Sequence, residues 1–319
     1  MSLAITGTGS SLPALCITND DISKILDTSH EWIASRTGIE ARHICEHGLT
    51  ETAVQAAANA LIDAGRAASE LDYILCATMS PDYVTPALAC LIQQAIGASC
   101  PALDINAACS GFLYGLDVAS GLFASGRASR ILLVAAESMS STVDWTKRDV
   151  SVLFGDGAGA VVLEKGNDLL AIRVGATGKA DPLYMQRQSS NCPFVPRREG
   201  DGYLHMDGRE IYRFAVSAMV RDIEYVLADA GILAEQVDYV LPHQANVRIL
   251  EAAAKKLPIA PEKFLNNMRT TGNTSAASIP ILLDEARKAN KIQAGQILVM
   301  SAFGAGLTTG ACIIKWSKH

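Results

Sequence analysis

Three side chains able to run thioester chemistry stand in this chain at Cys109, His243 and Asn273. Cys109 lies in DINAACSGF (104–112), among small residues directly before an apolar run. A thiol at the start of a helix faces unpaired backbone N–H groups and the positive end of the helix dipole, and both lower its pKa. A cysteine among alanines is also a good small packing residue. The segment alone leaves both readings open, although Ala107, Ala108 and Gly111 leave space around the sulfur. His243, in PHQAN (242–246), directly follows a strand-like run, the sheet end where ligands bind in open α/β folds. Pro242 fixes its entry, and Gln244 and Asn246 make the loop polar, whereas His30, His43, His47, His205 and His319 read as structural hydrogen-bonders. Asn273, between Gly272 and Thr274, reads first as a helix cap, and the same amide can donate to a substrate.

The elements that must carry these residues alternate in type. DYILCAT (72–78), RILLVAA (130–136), VDYVLP (237–242) and QILVMSA (296–302) read as buried strands, and alanine-rich stretches such as TAVQAAANALIDAG (52–65) read as helices. That alternation predicts parallel sheets covered by helices. The chain also matches itself. LIDAGRAASELDYIL (61–75) aligns with LADAGILAEQVDYVL (227–241), and the same offset lays RILLVAA on QILVMSA. A constant offset in two distant segments predicts an internal duplication. The expected halves are 1–166 and 167–319, meeting near Gly166 about a pseudo-twofold axis. The offset sets Cys109 against Ser275, within TTGNTSAASIP (270–280), so two small polar loops that open apolar helices converge on one central site.

Composition narrows the function classes. The chain has 319 residues, 49% hydrophobic and 19% charged, enough for a large core. A net charge of −6 argues against general nucleic-acid binding. The eight cysteines show no metal spacing and no secreted disulfide framework, and the start MSLAITGTGSSLP does not read as a signal peptide. With no apolar run long enough to span a bilayer, the expected setting is a reducing cytoplasm, without membrane insertion.

Other features carry less chemistry. FGDGAGAVVL (154–163) lacks the GK[ST] ending of a phosphate loop and reads as a tight turn into a strand. The backbone of AFGAGLTTGA (302–311) can offer N–H groups to an oxyanion. Carboxylates such as Asp104, Glu137 and Asp156 are dispersed, with no metal-binding or glycosidase-like pair. RILEAAAKKL (248–257) sets Arg248, Lys255 and Lys256 on one side of a helix, which reads as a solvated face or a dock for an anionic partner. A papain-like protease shares the Cys–His–Asn order, but its signature around the cysteine is absent and it lacks two equal α/β halves.

DTSHEWIASRTGIEARH (27–43), AACSGF (107–112), FGDGAGA (154–160), PHQANVRI (242–249) and GNTSAAS (272–278) together resemble β-ketoacyl-acyl-carrier-protein synthase III, of the thiolase-like superfamily. The likeness runs from about Ile5 to Lys315. It implies a duplicated five-layered αβαβα fold and a homodimer that uses acyl-CoA and acyl carrier protein, with no metal or redox cofactor. It implies that Cys109 takes an acyl group from acyl-CoA, that malonyl-carrier protein then loses carbon dioxide beside His243 and Asn273, and that the carbanion attacks the acyl-cysteine. The backbone N–H groups of Cys109 and Ala305 are the implied oxyanion hole.

The resemblance also implies binding roles. Trp32 and Arg148 sandwich the CoA adenine, with Arg36 near the nucleotide. Gln244, Ala245, Asn246, Val247 and Arg248 meet the carrier protein, and Arg213, Lys255 and Lys256 extend that basic patch. Thr85 and Phe303 border the acyl pocket. Two positions depart from the family. Its FGGG turn reads FGAG here, placing Ala305 where a glycine is usual, which suits only a backbone without positive φ. Thr85 stands where some acetyl-preferring members carry phenylalanine, which implies longer or more branched primers. The segment 186–203 is expected to border the acyl tunnel. Related readings are a specialised polyketide or quinolone-type condensing enzyme, a biosynthetic thiolase, for which Cys312 does not fit the second cysteine, and a non-catalytic carrier-protein binder.

Overall fold

Along the strand Arg130–Ser138, successive side chains enter different cores: Ile131, Leu133 and Ala135 face one, and Leu132, Val134 and Ala136 another. Burial on both faces is why such strands read as unbroken apolar runs. The computed structural model describes residues 2–187, 192–194, 196 and 200–318.

Two sheets share one strand pattern. The first runs Ser2–Ser11, Asp156–Gly166, Arg130–Ser138, Tyr73–Ala77, Ala102–Ile105. The second runs Leu169–Lys179, Gly306–Lys315, Ile297–Gly304, Tyr239–Pro242. In each, the first three strands pair antiparallel and the fourth pairs parallel with the third. Where the first sheet adds Ala102–Ile105, the second has an isolated parallel bridge between Val240 and Phe264.

The layers follow from which faces are apolar. Helices Gly111–Ala124 and Ser278–Lys288 lie between the sheets, where Phe112, Leu113, Leu282 and Leu283 pack with Leu75 and Met300. Helices Thr50–Ala64 and Leu88–Ile96 cover the outer face of the first sheet, and Gly208–Ala230 with Val247–Ala254 that of the second. The result is the expected duplicated αβαβα fold. FGDGAGA leads into the strand Asp156–Gly166 as expected, and its glycines admit close packing: a Cβ on Gly159 would meet Ile281 N at 2.7 Å, so the central helix rests on strand backbone. The carboxylates Asp104 and Asp156 are braces. Asp104 accepts from the N–H groups of Leu88 and Ala89 at 2.8 Å, capping a helix start. Among the described residues, no helix is long and apolar enough to cross a membrane.

Candidate active site

Cys109 occupies the short turn Ala108–Ser110 that runs into the central helix Gly111–Ala124. Its counterpart, Ser275–Ala277, runs into Ser278–Lys288. Ala108 and Ser275 hold φ of 48° and 50°, a region that L residues enter at a cost of about 1–2 kcal/mol. Such strain gathers at functional turns. Cys109 Sγ and Ser275 Oγ stand 3.4 Å apart. The two turns correspond with Ala108 opposite Ser275, one position off the offset read from the sequence, so the expected match of Cys109 with Ser275 is corrected to Cys109 with Ala276. One part of the sequence expectation is corrected here. The helix start does not leave a ready thiolate, because burial pushes the Cys109 thiol up to about 12.

His243 directly follows the strand Tyr239–Pro242, and its N–H donates to Ser301 O at 2.7 Å. The ring is 1% exposed, its Nδ1 is 2.8 Å from Ser278 Oγ, and Phe303 meets it edge-on at 5.3 Å. Burial lowers its pKa to about 3, so the imidazole stays neutral at ordinary pH. Asn273 is held by its backbone, with its N–H donating to Leu153 O and its carbonyl accepting from Gly155 N–H. Its side-chain Oδ1 accepts from Ser275 N–H at 2.9 Å, which leaves the Nδ2 donors for the cavity.

The turn after strand Ile297–Gly304 closes over the cysteine. A Cβ on Gly304 would sit 2.7 Å from Cys109 N, so only glycine admits this approach. Thr308 Oγ1 lies 3.0 Å from both Ala107 O and Ala305 O, which ties the two segments together. Ala305 is outside the positive-φ region, and Gly306 carries the φ of 133°. The family departure at Ala305 therefore adds no backbone strain.

Cys109, His243, Asn273, Phe303 and Ala305 line one cavity of about 240 Å³, which Trp32 and Arg36 border at its exposed end. The Arg36 and Arg148 guanidiniums lie 4.7 and 5.0 Å from the Trp32 ring centroid. Arg148 thus rests on the indole itself, and a stacked base between them requires the pair to part.

The carrier-protein segment divides. Arg213, Arg248, Lys255 and Lys256 are exposed, Ala245, Asn246 and Val247 are half-buried, and Ala245 and Asn246 also line the cavity. Gln244 departs from expectation: it is fully buried, its amide donating to Pro242 O and its Oε1 accepting from Asn267 N–H. It braces the loop and does not reach a partner. The helix is shorter than the pattern suggested, Val247–Ala254, so Lys255 and Lys256 follow its end rather than continuing a face. Thr85 is exposed and does not line its own chain's cavity, and Phe303 does. Of the segment 186–203, residues 188–191, 195 and 197–199 lie outside the described residues.

Glu137, in the sequence only one of several dispersed carboxylates, reaches this site. It ends the strand Arg130–Ser138 wholly buried, and its Oε1 accepts from Ser275 Oγ at 2.9 Å. Ser80 Oγ donates to its Oε2 at 2.5 Å and Met79 N–H at 3.1 Å. One carboxylate closing an otherwise apolar strand run was the available signal.

Comparison with known proteins gives one answer. The family described as 3-oxoacyl-[acyl-carrier-protein (ACP)] synthase III matches residues 103–178, and its C-terminal part matches 227–316. The chain is 46% identical to beta-ketoacyl-[acyl-carrier-protein] synthase III of Aquifex aeolicus, over 99% of this chain and all of that protein. It is 42% identical to the Clostridium acetobutylicum protein of that name, over 99% of each chain. The crystal structure of the Aquifex protein superposes with a TM-score of 0.93 at 44% identity, covering 99% of this chain and 100% of the other. A priming β-ketosynthase of the R1128 polyketide pathway superposes with a TM-score of 0.92 at 31% identity, covering 99% and 97%.

Proposed function

The chain belongs to the β-ketoacyl-acyl-carrier-protein synthase III family, and we infer from that membership that it is an acyltransferase initiating fatty acid biosynthesis. The reaction joins an acyl-CoA primer to malonyl-acyl-carrier-protein with loss of carbon dioxide. The observation that carries this reading is the meeting of Cys109, His243 and Asn273 at one cavity in a chain 42–46% identical to its relatives end to end. The lower identity to the polyketide priming enzyme, 31%, favours primary fatty acid synthesis over a specialised product.

The roles within the site are our proposal. Cys109 Sγ attacks the acyl-CoA carbonyl and becomes the acyl carrier, and the N–H groups of Cys109 and Ala305 hold the oxyanion. Malonyl-carrier protein then binds, with its thioester oxygen toward Asn273 Nδ2 and His243 Nε2. Both are neutral donors, so the developing enolate gains hydrogen bonds without a proton being taken from the site. The enolate carbon attacks the acyl-cysteine, and Cys109 leaves as thiolate. Every step uses side chains and backbone of this chain, with no metal or redox cofactor.

Trp32, Arg36 and Arg148 bind the CoA nucleotide at the exposed end of the cavity. The exposed cations Arg213, Arg248, Lys255 and Lys256 meet the acidic carrier protein, supported by their exposure and, for Arg213 and Arg248, by their neighbours Tyr212 and Ile249 in the cavity lining. A homodimer is supported by Tyr83 and Val84, 56% and 85% exposed beside Thr85, apolar surface that a second copy would cover. In that dimer Thr85 enters the partner's acyl pocket and leaves room for primers beyond acetyl. Turnover across acetyl-, isobutyryl-, hexanoyl- and decanoyl-CoA tests this, and strict preference for acetyl-CoA would contradict it. A nucleophile that must stay reduced supports a cytoplasmic setting.

A further inference from the structure

A buried carboxylate with no cation beside it is costly to keep, and Glu137 is such a group. Asp156, the other buried acid of this half, is fully spent on bracing, because Cys45 N–H, Ser140 N–H and Ser140 Oγ donate to it away from the cavity. Glu137 differs in one respect. Its partner Ser275 Oγ also touches the reacting sulfur, 2.9 Å from Glu137 Oε1 and 3.4 Å from Cys109 Sγ. A hydroxyl has one proton, so when Ser275 donates to the carboxylate its lone pair faces the Cys109 S–H.

We propose that Ser275 and Glu137 form a relay that takes the Cys109 proton during acylation and holds it until the cysteine is released. The proposal rests on Cys109 being the acyl acceptor. In the first half-reaction the S–H bond breaks, its proton moves to Ser275 Oγ, and the Ser275 proton moves to Glu137. The sulfur forms the new S–C bond as the C–S bond to CoA breaks, and CoA thiolate takes a proton from solvent. In the second half-reaction the enolate carbon bonds to the acyl carbon, Cys109 is expelled as thiolate, and Glu137 returns its proton through Ser275. Ser275 touches the reacting atom; Glu137 acts through it as a positioning residue and proton store.

The alternative store, His243, is a poor one, since burial holds its ring neutral down to about pH 3. Burial instead raises Glu137 to about 7, so it can exist in either form near neutrality. The titratable groups facing it are the Cys109 and Cys76 thiols, both raised by burial, and among the described residues no cation pairs with it.

The test is single-turnover acylation of Cys109 by acetyl- and hexanoyl-CoA, followed by intact mass from pH 5.5 to 9. The wild-type rate is expected to rise through about pH 7 as Glu137 becomes able to accept. Ser275→Ala and Glu137→Gln should each slow acylation at pH 7 by about tenfold or more and abolish that rise, so that rates climb only with the thiol's own ionisation. Alanine is tolerated at this φ, as Ala108 shows, and Ser275→Ala keeps the other donors to Glu137, so it decides the matter if Glu137→Gln does not fold. A flat wild-type profile, or a Ser275→Ala enzyme with the wild-type rate and rise, would overturn the relay and leave Cys109 as acceptor. Absence of any wild-type adduct would instead overturn the acceptor role itself.

Discussion

His243 Nδ1 and Ser278 Oγ are 2.8 Å apart in the buried floor of the cavity. Donation of a thioester-binding hydrogen bond from Nε2 of a neutral imidazole leaves Nδ1 as the acceptor nitrogen, and the Ser278 hydroxyl is placed to donate to it and so favour that tautomer. The same hydroxyl lies 2.9 Å from Ser275 O, to which it donates when it is turned away from the imidazole. Ser278→Ala is therefore expected to slow carbon dioxide release from malonyl-carrier protein by about tenfold or more while leaving Cys109 acylation within about twofold. Equal losses in both half-reactions would refute this role.

His243 and Glu137 bend stability in opposite directions with pH. His243 has its folded pKa lowered to about 3, below the ordinary 6.5, so the unfolded chain binds the proton between those values. Stability from this group is thus full above pH 6.5 and falls as pH drops toward 3, on the order of 4 kcal/mol. Glu137, raised from 4.5 to about 7, binds its proton more tightly when folded, so its stability is full below pH 4.5 and is lost as pH rises through 7. Denaturant midpoints of His243→Asn should fall less steeply below pH 6.5, and those of Glu137→Gln less steeply above pH 5. Curves parallel to wild type in both windows would contradict the assignment.

Much of this was open to reading in the sequence. The repeat between 61–75 and 227–241 revealed the duplication, because both halves keep the same turn and strand residues. Cys109, His243 and Asn273 stood out as candidates in local patterns of small or polar residues, the family resemblance supplied their roles, and the structure brings all three to one cavity. The role of Glu137 was missed because it depends on Ser275, 138 positions away, and no local spacing records that contact. Gln244 was misplaced for the opposite reason. Its polar neighbours suggested surface, whereas the backbone of Asn267 folds over it and uses its oxygen. The proton state of Cys109 depended on how the packed layers bury its thiol, a property of the assembled site rather than of the segment.

The turn at Gly304 and Ala305 separates space from backbone conformation. Gly304→Ala forces a Cβ against Cys109 N at 2.7 Å and should cut kcat by about 100-fold, the scale of losing an oxyanion donor. Ala305→Gly meets no such conflict and should keep kcat within about threefold, with a stability cost below about 1 kcal/mol. Steady-state kinetics and melting curves on the two variants check this, and a severe defect at Ala305→Gly would disprove it.

Trp32 carries both guanidiniums at the cavity's exposed end, so its loss should act on binding. Trp32→Ala is expected to raise KM for acyl-CoA about tenfold, with kcat and malonyl-carrier-protein KM little changed, as suits a cation–π and stacking contribution of about 1–2 kcal/mol. A fall in kcat at unchanged KM would place the residue elsewhere in the reaction.

The central claim is that Cys109 carries the acyl group between two half-reactions. Its direct test is intact-mass analysis of the wild-type protein and of Cys109→Ala after incubation with acyl-CoA, followed by addition of malonyl-acyl-carrier-protein. The account predicts one acyl adduct on the wild type, localised to Cys109, discharged with release of carbon dioxide and formation of β-ketoacyl-carrier protein, and no adduct on the variant. An adduct that survives in Cys109→Ala, or product formed by that variant at the wild-type rate, would contradict it.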